Sequence, residues 1–142
     1  SIIDDKETKY FHSKLKDACD ESNQTYYPEF KKNCDEYFYL QHREEPRRVG
    51  GIFFDHLNTG DWDNDFSLVQ TLGLSTLNVI KDIVTNKKDL NWTNKEKEQQ
   101  LVKRGRYVEF NLIWDRGTLF GLKTGGSSEA ILMSMPPSAK WE

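Results

Sequence analysis

The sequence predicts an α+β fold in which helices pack on an antiparallel sheet. Three observations lead there. Apolar residues recur at helical spacing over several long stretches. A short apolar run between turn-forming residues reads as a buried strand. A strictly alternating stretch around residue 110 reads as a β-hairpin. At 142 residues the chain fits a single domain, residues 1–142, with one hydrophobic core. Eight Phe, six Tyr and four Trp can fill much of that core.

The elements follow in order. Asp5 to Glu21 is a predicted helix, with Tyr10, Phe11, Leu15, Ala18 and Cys19 at helical spacing and Asp4 or Asp5 available as a cap. Ser22 to Thr25 is a polar break, after which Pro28 suits a first helical turn. Glu29 to Leu40 is the second helix, with Phe30, Cys34, Tyr37 and Phe38 along one side. Arg43 to Arg48 is a charged loop containing Pro46. Val49 to Leu57 is the buried strand, built on Ile52, Phe53 and Phe54 behind a Gly pair that suggests close backbone approach. Asn58 to Asn64 is a turn-rich link to a long helix from Phe66 to Val84, whose apolar positions are Leu68, Val69, Leu72, Leu77, Ile80, Ile83 and Val84. Asn86 to Gln100 is strongly polar: a surface loop, then a solvated helix from about Asn94 to Arg104 capped near Thr93. In the hairpin, Val108, Phe110, Leu112 and Trp114 alternate with Tyr107, Glu109, Asn111 and Ile113; Asp115-Arg116-Gly117 turns the chain and Thr118 to Leu122 returns. Gly125-Gly126 forms a flexible corner, and Glu129 to Met135 suits either a strand or a short helix before Pro136 and Pro137 end it.

Composition excludes several function classes. The net charge of −3 lacks the basic excess of a nucleic-acid binder. No apolar run is long enough to span a bilayer. Cys19 and Cys34 form neither a disulfide framework nor a metal motif, and each is expected to pack as a small hydrophobe in a reducing compartment. No Ser-His-Asp or Cys-His arrangement is legible, and Gly125-Gly126-Ser127 lacks the Lys-Ser/Thr pair of a phosphate loop.

What remains is suggestive residue by residue. Arg47 and Arg48 precede a Gly pair and Arg116 sits in a tight turn, positions from which a planar guanidinium could grip a carboxylate by two parallel hydrogen bonds. Ordinary surface ion pairing is the commoner role. Asp115 could collect hydrogen bonds from an N–H-rich ligand, or simply form its turn. His12, His42 and His56 are widely separated, which is a weak metal pattern.

Longer motifs carry more. Tyr27-Pro28-Glu29-Phe30-Lys31-Lys32, Cys34-Asp35-Glu36-Tyr37-Phe38, His42-Arg43-Glu44-Glu45-Pro46-Arg47 running into Gly50-Gly51-Ile52-Phe53-Phe54-Asp55, Arg104-Gly105-Arg106-Tyr107-Val108-Glu109-Phe110-Asn111-Leu112, Asp115-Arg116-Gly117-Thr118, Phe120-Gly121-Leu122, Thr124-Gly125-Gly126 and Ile131-Leu132-Met133-Ser134 occur in this order. Together they resemble the oxygen-dependent coproporphyrinogen III oxidases over nearly the whole chain, most weakly from Asn58 to Gln100. The resemblance implies a flat antiparallel β-sheet sandwiched between α-helices, assembled as a homodimer. It implies oxidative decarboxylation of two propionates of coproporphyrinogen III to vinyl groups, giving protoporphyrinogen IX, with molecular oxygen as co-substrate and no organic cofactor. A tetrapyrrole-binding or dimerisation fragment without turnover is the alternative.

Site residues follow from the same resemblance. Arg47 matches the family's functional arginine and Asp115 its hairpin aspartate, both implied to be catalytic. Arg47, Arg116, Gly125, Gly126 and Ser127 are implied to bind substrate. His12 and His42 match histidines proposed as ligands of a divalent metal in bacterial members. The chain departs from the family at Arg48 (usually glycine), Ser127 (usually arginine in bacterial relatives) and Ala130 (usually serine). A catalytic upstream segment and a C-terminal tail are expected beyond this stretch, so turnover by these residues alone is not expected. A cytoplasmic location is the first expectation, with mitochondria or plastids as alternatives.

Overall fold

A computed structural model of the chain describes residues 4–46 and 49–142. They fall into two compact units, residues 4–90 and residues 91–142.

In residues 4–90 the helical periodicity is realised closely. α1 spans Asp5–Asp20 and starts at Asp4, whose carboxylate accepts the Lys6 N–H at 2.7 Å. α2 spans Tyr26–Tyr37, with Pro28 in its first turn, where a missing N–H costs nothing. α3 spans Trp62–Lys87 and is capped by Asp61, which accepts from the Asn64 N–H at 3.1 Å. α1 and α3 run antiparallel: Glu7 pairs with Lys87, the Tyr10 hydroxyl donates to Asp82, and Ser75 donates to the Lys14 carbonyl.

The core of this unit gathers Ala18, Cys19, Phe30, Leu68 and Leu72, flanked by Tyr26, Tyr27, Ile52, Phe54 and Leu57. Phe30 is its aromatic centre, stacked on Tyr26 at 5.0 Å and on Phe54 at 4.4 Å between ring centroids. Cys19 and Cys34 are free and buried, as small hydrophobes would be. Burial pushes the Cys19 thiol up to about 11, which keeps it protonated and unreactive. α3 has a second apolar stripe, of Trp62, Phe66, Val69, Leu77, Ile80 and Val84, that stays exposed.

The strand expected from Val49 to Leu57 is absent. This segment is irregular, and its Phe53 N–H donates to the Phe30 carbonyl of α2 at 2.9 Å. A ladder needs an extended neighbour. Here the neighbour is a helix, and successive side chains grip it instead: Phe54 stacks on Phe30 while Phe53 stacks on Tyr37 at 4.7 Å.

The larger correction concerns residues 91–142. α4 spans Asn94–Glu109, a π-helical turn covers Phe110–Trp114, α5 spans Arg116–Lys123 and α6 spans Ser128–Leu132. The predicted hairpin is therefore helical. Among the described residues there is no strand or sheet, only an isolated antiparallel bridge between Leu40 and Glu45, so the fold is not α+β with an antiparallel sheet. Caps at both ends account for the difference. Thr93 and Glu96 form a reciprocal capping box at the start of α4, and Asp115 caps α5 by accepting the Thr118 N–H at 2.7 Å. Alternating apolar residues signal a strand only where a second strand covers them. On a helix, Phe110 and Trp114 share one face at i, i+4, and Phe110 is buried while Leu112 and Ile113 are exposed.

The C-terminal segment returns along α4, where the Lys140 N–H donates to the Leu101 carbonyl at 3.1 Å. Gly105 permits that approach: a Cβ there would lie 2.4 Å from the Lys140 carbonyl oxygen. Among the described residues, no helix is long and apolar enough to cross a membrane.

Candidate functional site

Asp115 follows the π-helical turn directly. Its N–H donates to the Phe110 carbonyl at 2.9 Å, and its Oδ2 accepts both the N–H and the hydroxyl of Thr118, each at 2.7 Å. The carboxylate is thus held in one orientation by the helix that it starts, and it stays partly exposed. Arg116 is the first residue of α5 and is exposed. The π-helical turn adds a residue to the winding just before this pair, a device often found where a helix presents functional groups.

Gly125, Gly126 and Ser127 lie at the other end of α5. Gly125 has φ +75°, and the Gly126 N–H donates to the Gly121 carbonyl at 2.9 Å, the six-to-one bond of a Schellman stop. The corner expected to be flexible is a defined helix terminator. A Cβ on Gly126 would lie 3.0 Å from the Gly121 carbonyl oxygen and 3.1 Å from Ile131 Cδ1. Ser127 caps α6, accepting the Ala130 N–H at 3.3 Å. The eight residues of α5 separate this turn from Asp115 and Arg116 by about 12 Å along the axis, at ~1.5 Å per residue. The two groups share one helix without touching.

The remaining predicted residues belong to the other unit. Arg47, and Arg48 beside it, lie outside the described residues. His42 is exposed in a short 3-10 turn, Gln41–Arg43. His12 is half-buried on α1 with both ring nitrogens engaged, Nε2 with the Val49 carbonyl oxygen at 2.6 Å and Nδ1 with the Tyr27 hydroxyl at 3.0 Å. Among the described residues no group of three or more His, Cys, Asp or Glu is placed to hold a metal ion. The geometry around His12 does not fit the metal role that the resemblance implied.

Comparison with known proteins places the chain. A family model described as coproporphyrinogen III oxidase matches residues 1–142. The chain belongs to the coproporphyrinogen III oxidase family. Relatives within it include a protein of Rickettsia bellii, 59% identical over 138 residues, and one of Rickettsia akari, 57% identical over 138 residues. A protein of Rickettsia africae is 58% identical over 135 residues. All three carry the name oxygen-dependent coproporphyrinogen-III oxidase. The first two matches take in 97% of this chain and 50% of the relative, the third 95% and 48%. The chain therefore spans about half the length of these coproporphyrinogen III oxidase relatives.

Sequence reasoning missed Tyr27 and Thr118, the side chains that engage His12 and Asp115. Thr118 had a local signal, since an Asp three residues before a Thr at a helix start is a capping pattern. Tyr27 had none, because its partner lies on another helix.

Proposed function

We propose that the protein containing this chain catalyses the oxygen-dependent oxidative decarboxylation of coproporphyrinogen III to protoporphyrinogen IX. The observation that carries this reading is the 59% identity, over 97% of the chain, to a protein named for that activity. The family match runs unbroken through both compact units. In the reaction each of two propionates becomes a vinyl group and releases carbon dioxide, and molecular oxygen takes up the two electrons and two protons set free. No organic cofactor enters this scheme.

Asp115 is proposed as the residue that orients the macrocycle. A carboxylate is acceptor-only, and the pyrrole N–H groups at the ring centre are donors. Fixed by Thr118, it would meet them without first being ordered, and its charge would favour an oxidised, electron-poor pyrrole. Arg47 and Arg116 are proposed to pair with propionate carboxylates, and the Gly125-Gly126-Ser127 turn to line the substrate. A homodimer is the proposed assembly.

The test is turnover of coproporphyrinogen III by the natural protein containing these residues, in air and without oxygen, with products separated by chromatography. Protoporphyrin, seen after oxidation, is expected only in air. No product from folded protein overturns the proposal. The isolated 142 residues span half of their relatives, which favours tetrapyrrole binding without turnover for this piece alone. A porphyrin titration checks it.

A further inference from the structure

His12 joins three segments of residues 4–90. The Val49 carbonyl oxygen can only accept, so the His12 Nε2 that meets it at 2.6 Å carries the proton. The neutral ring then leaves Nδ1 as an acceptor, and the Tyr27 hydroxyl donates to it at 3.0 Å. Burial pushes the pKa of Tyr27 up, so that donor keeps its proton. A hydrogen-bonded relay thus runs from Tyr27 on α2, through His12 on α1, to the backbone at Val49.

The backbone around Val49 is shaped for this contact. Gly50 has φ +71°, and a Cβ there would lie 3.1 Å from Asp35 Oδ1 and 4.0 Å from His12 Cε1. A glycine is required on both counts. Upstream, Glu45 exchanges two backbone hydrogen bonds with buried Leu40, at 3.0 and 3.3 Å. The chain is consequently anchored at Glu45 and again at Val49, with only residues 46–48 between.

From this geometry we infer that His12 is a positioning residue: with Tyr27 it pins Val49, and so fixes the downstream anchor of the short segment that carries Arg47. The inference rests on the proposed role of Arg47 as a carboxylate-binding group. It replaces the metal role for His12. A metal-bound histidine commonly donates its second nitrogen to a backbone carbonyl. Here, however, the nitrogen left for a metal is taken by Tyr27. The anchoring acts through chain length: with three residues between fixed points, a slack Val49 would let the guanidinium sample positions that cannot meet a propionate.

The experiment uses the full natural protein with His12→Ala, His12→Gln, Tyr27→Phe and Arg47→Ala. Three readouts are taken: KM and kcat for coproporphyrinogen III, metal per chain with magnesium and zinc each supplied, and amide exchange of the peptide covering residues 45–53. His12→Ala is expected to raise KM about tenfold with a smaller change in kcat, as for loss of one buried hydrogen bond with its partner left unpaired. His12→Gln, whose amide N–H can still reach a carbonyl, recovers part of that loss. Tyr27→Phe raises KM about two- to threefold. Exchange quickens in the same order, and metal content stays constant. Metal lost in His12→Ala, or exchange unchanged in every His12 and Tyr27 variant, overturns the proposal. Should His12→Ala fail to fold, Tyr27→Phe keeps the ring and decides alone. An unchanged KM in Arg47→Ala alongside quickened exchange in His12→Ala overturns the reading of Arg47, and with it the substrate consequence, while leaving the anchor itself established.

Discussion

Residues 4–90 and residues 91–142 are both helical, and they are held by different means. In residues 4–90, side chains from three helices and the segment after Val49 enclose a common centre in which Cys19 and Leu68 are fully buried. In residues 91–142 the buried set among the described residues shrinks to Gly105, Glu109 and Phe110. There the chain is organised by a capping box, an aspartate cap, a Schellman stop and a close backbone contact at Gly105. Side chains far apart in sequence specify the first region, and signals within four residues specify most of the second. Mutations should separate the two regimes.

The largest effect belongs to the packed region. Phe30 is 2% exposed and stacked between Tyr26 and Phe54. Phe30→Ala should cost about 3–5 kcal/mol, measured as the shift of a denaturant midpoint in the natural protein. A loss under about 1 kcal/mol would mean that this cluster does not hold the unit together.

Asp115 tests whether a residue can serve both as cap and as catalyst. Asp115→Asn keeps a good capping side chain and should leave stability nearly unchanged, while turnover falls about 100-fold if the charge stabilises the oxidised substrate. Asp115→Ala loses the cap as well, about 1 kcal/mol more. Full turnover in the Asn variant would reduce Asp115 to a helix cap.

Gly105 probes the close contact in residues 91–142. A Cβ set 2.4 Å from the Lys140 carbonyl forces the C-terminal segment off α4. Gly105→Ala should cost about 1–3 kcal/mol and expose the segment around Lys140 to proteolysis, which limited digestion reads directly.

The same division explains what the sequence could reveal. α1, α2 and α3 were legible because a 3.6-residue apolar period and Asp caps agree with each other and with the core they face. The start of α4 was legible at Thr93 for the same reason. Residues 106–122 were not, because Val108, Phe110, Leu112 and Trp114 alternate as a strand would, and alternation says nothing about whether a partner strand exists to cover it. The two phenylalanines at 53 and 54 misled similarly: packing on either side of a helix produces the same pair as facing two sides of a sheet. Among site residues, the proximity of Asp115 and Arg116 was legible from adjacency, and so was that of Gly125, Gly126 and Ser127. Their separation by the length of α5 was not, since a hairpin reading would have folded the two groups back towards each other. The engagement of His12 with Tyr27 and Val49 depends on tertiary contacts that no local pattern encodes.

The smallest effect is a pH step at the start of α4. The Glu96 carboxylate accepts the Thr93 backbone N–H at 2.5 Å and the Thr93 hydroxyl at 2.8 Å. The backbone bond first, and the hydroxyl second, hold its pKa below the ordinary glutamate value near 4.5. A depressed folded pKa means that the unfolded chain binds this proton more readily. The contribution is therefore complete above about pH 4.5 and is lost as pH falls through the lower, folded value. Amide exchange at residues 93–97 should quicken on acidification through this range beyond its intrinsic pH dependence, and Glu96→Gln should remove the step while leaving the rest of the helix unaffected. Thr93→Ala should keep part of it, because the backbone donor remains. A step of the same size in Glu96→Gln would assign it to another carboxylate, and residues 91–142 would then depend on longer-range contacts than their capping box.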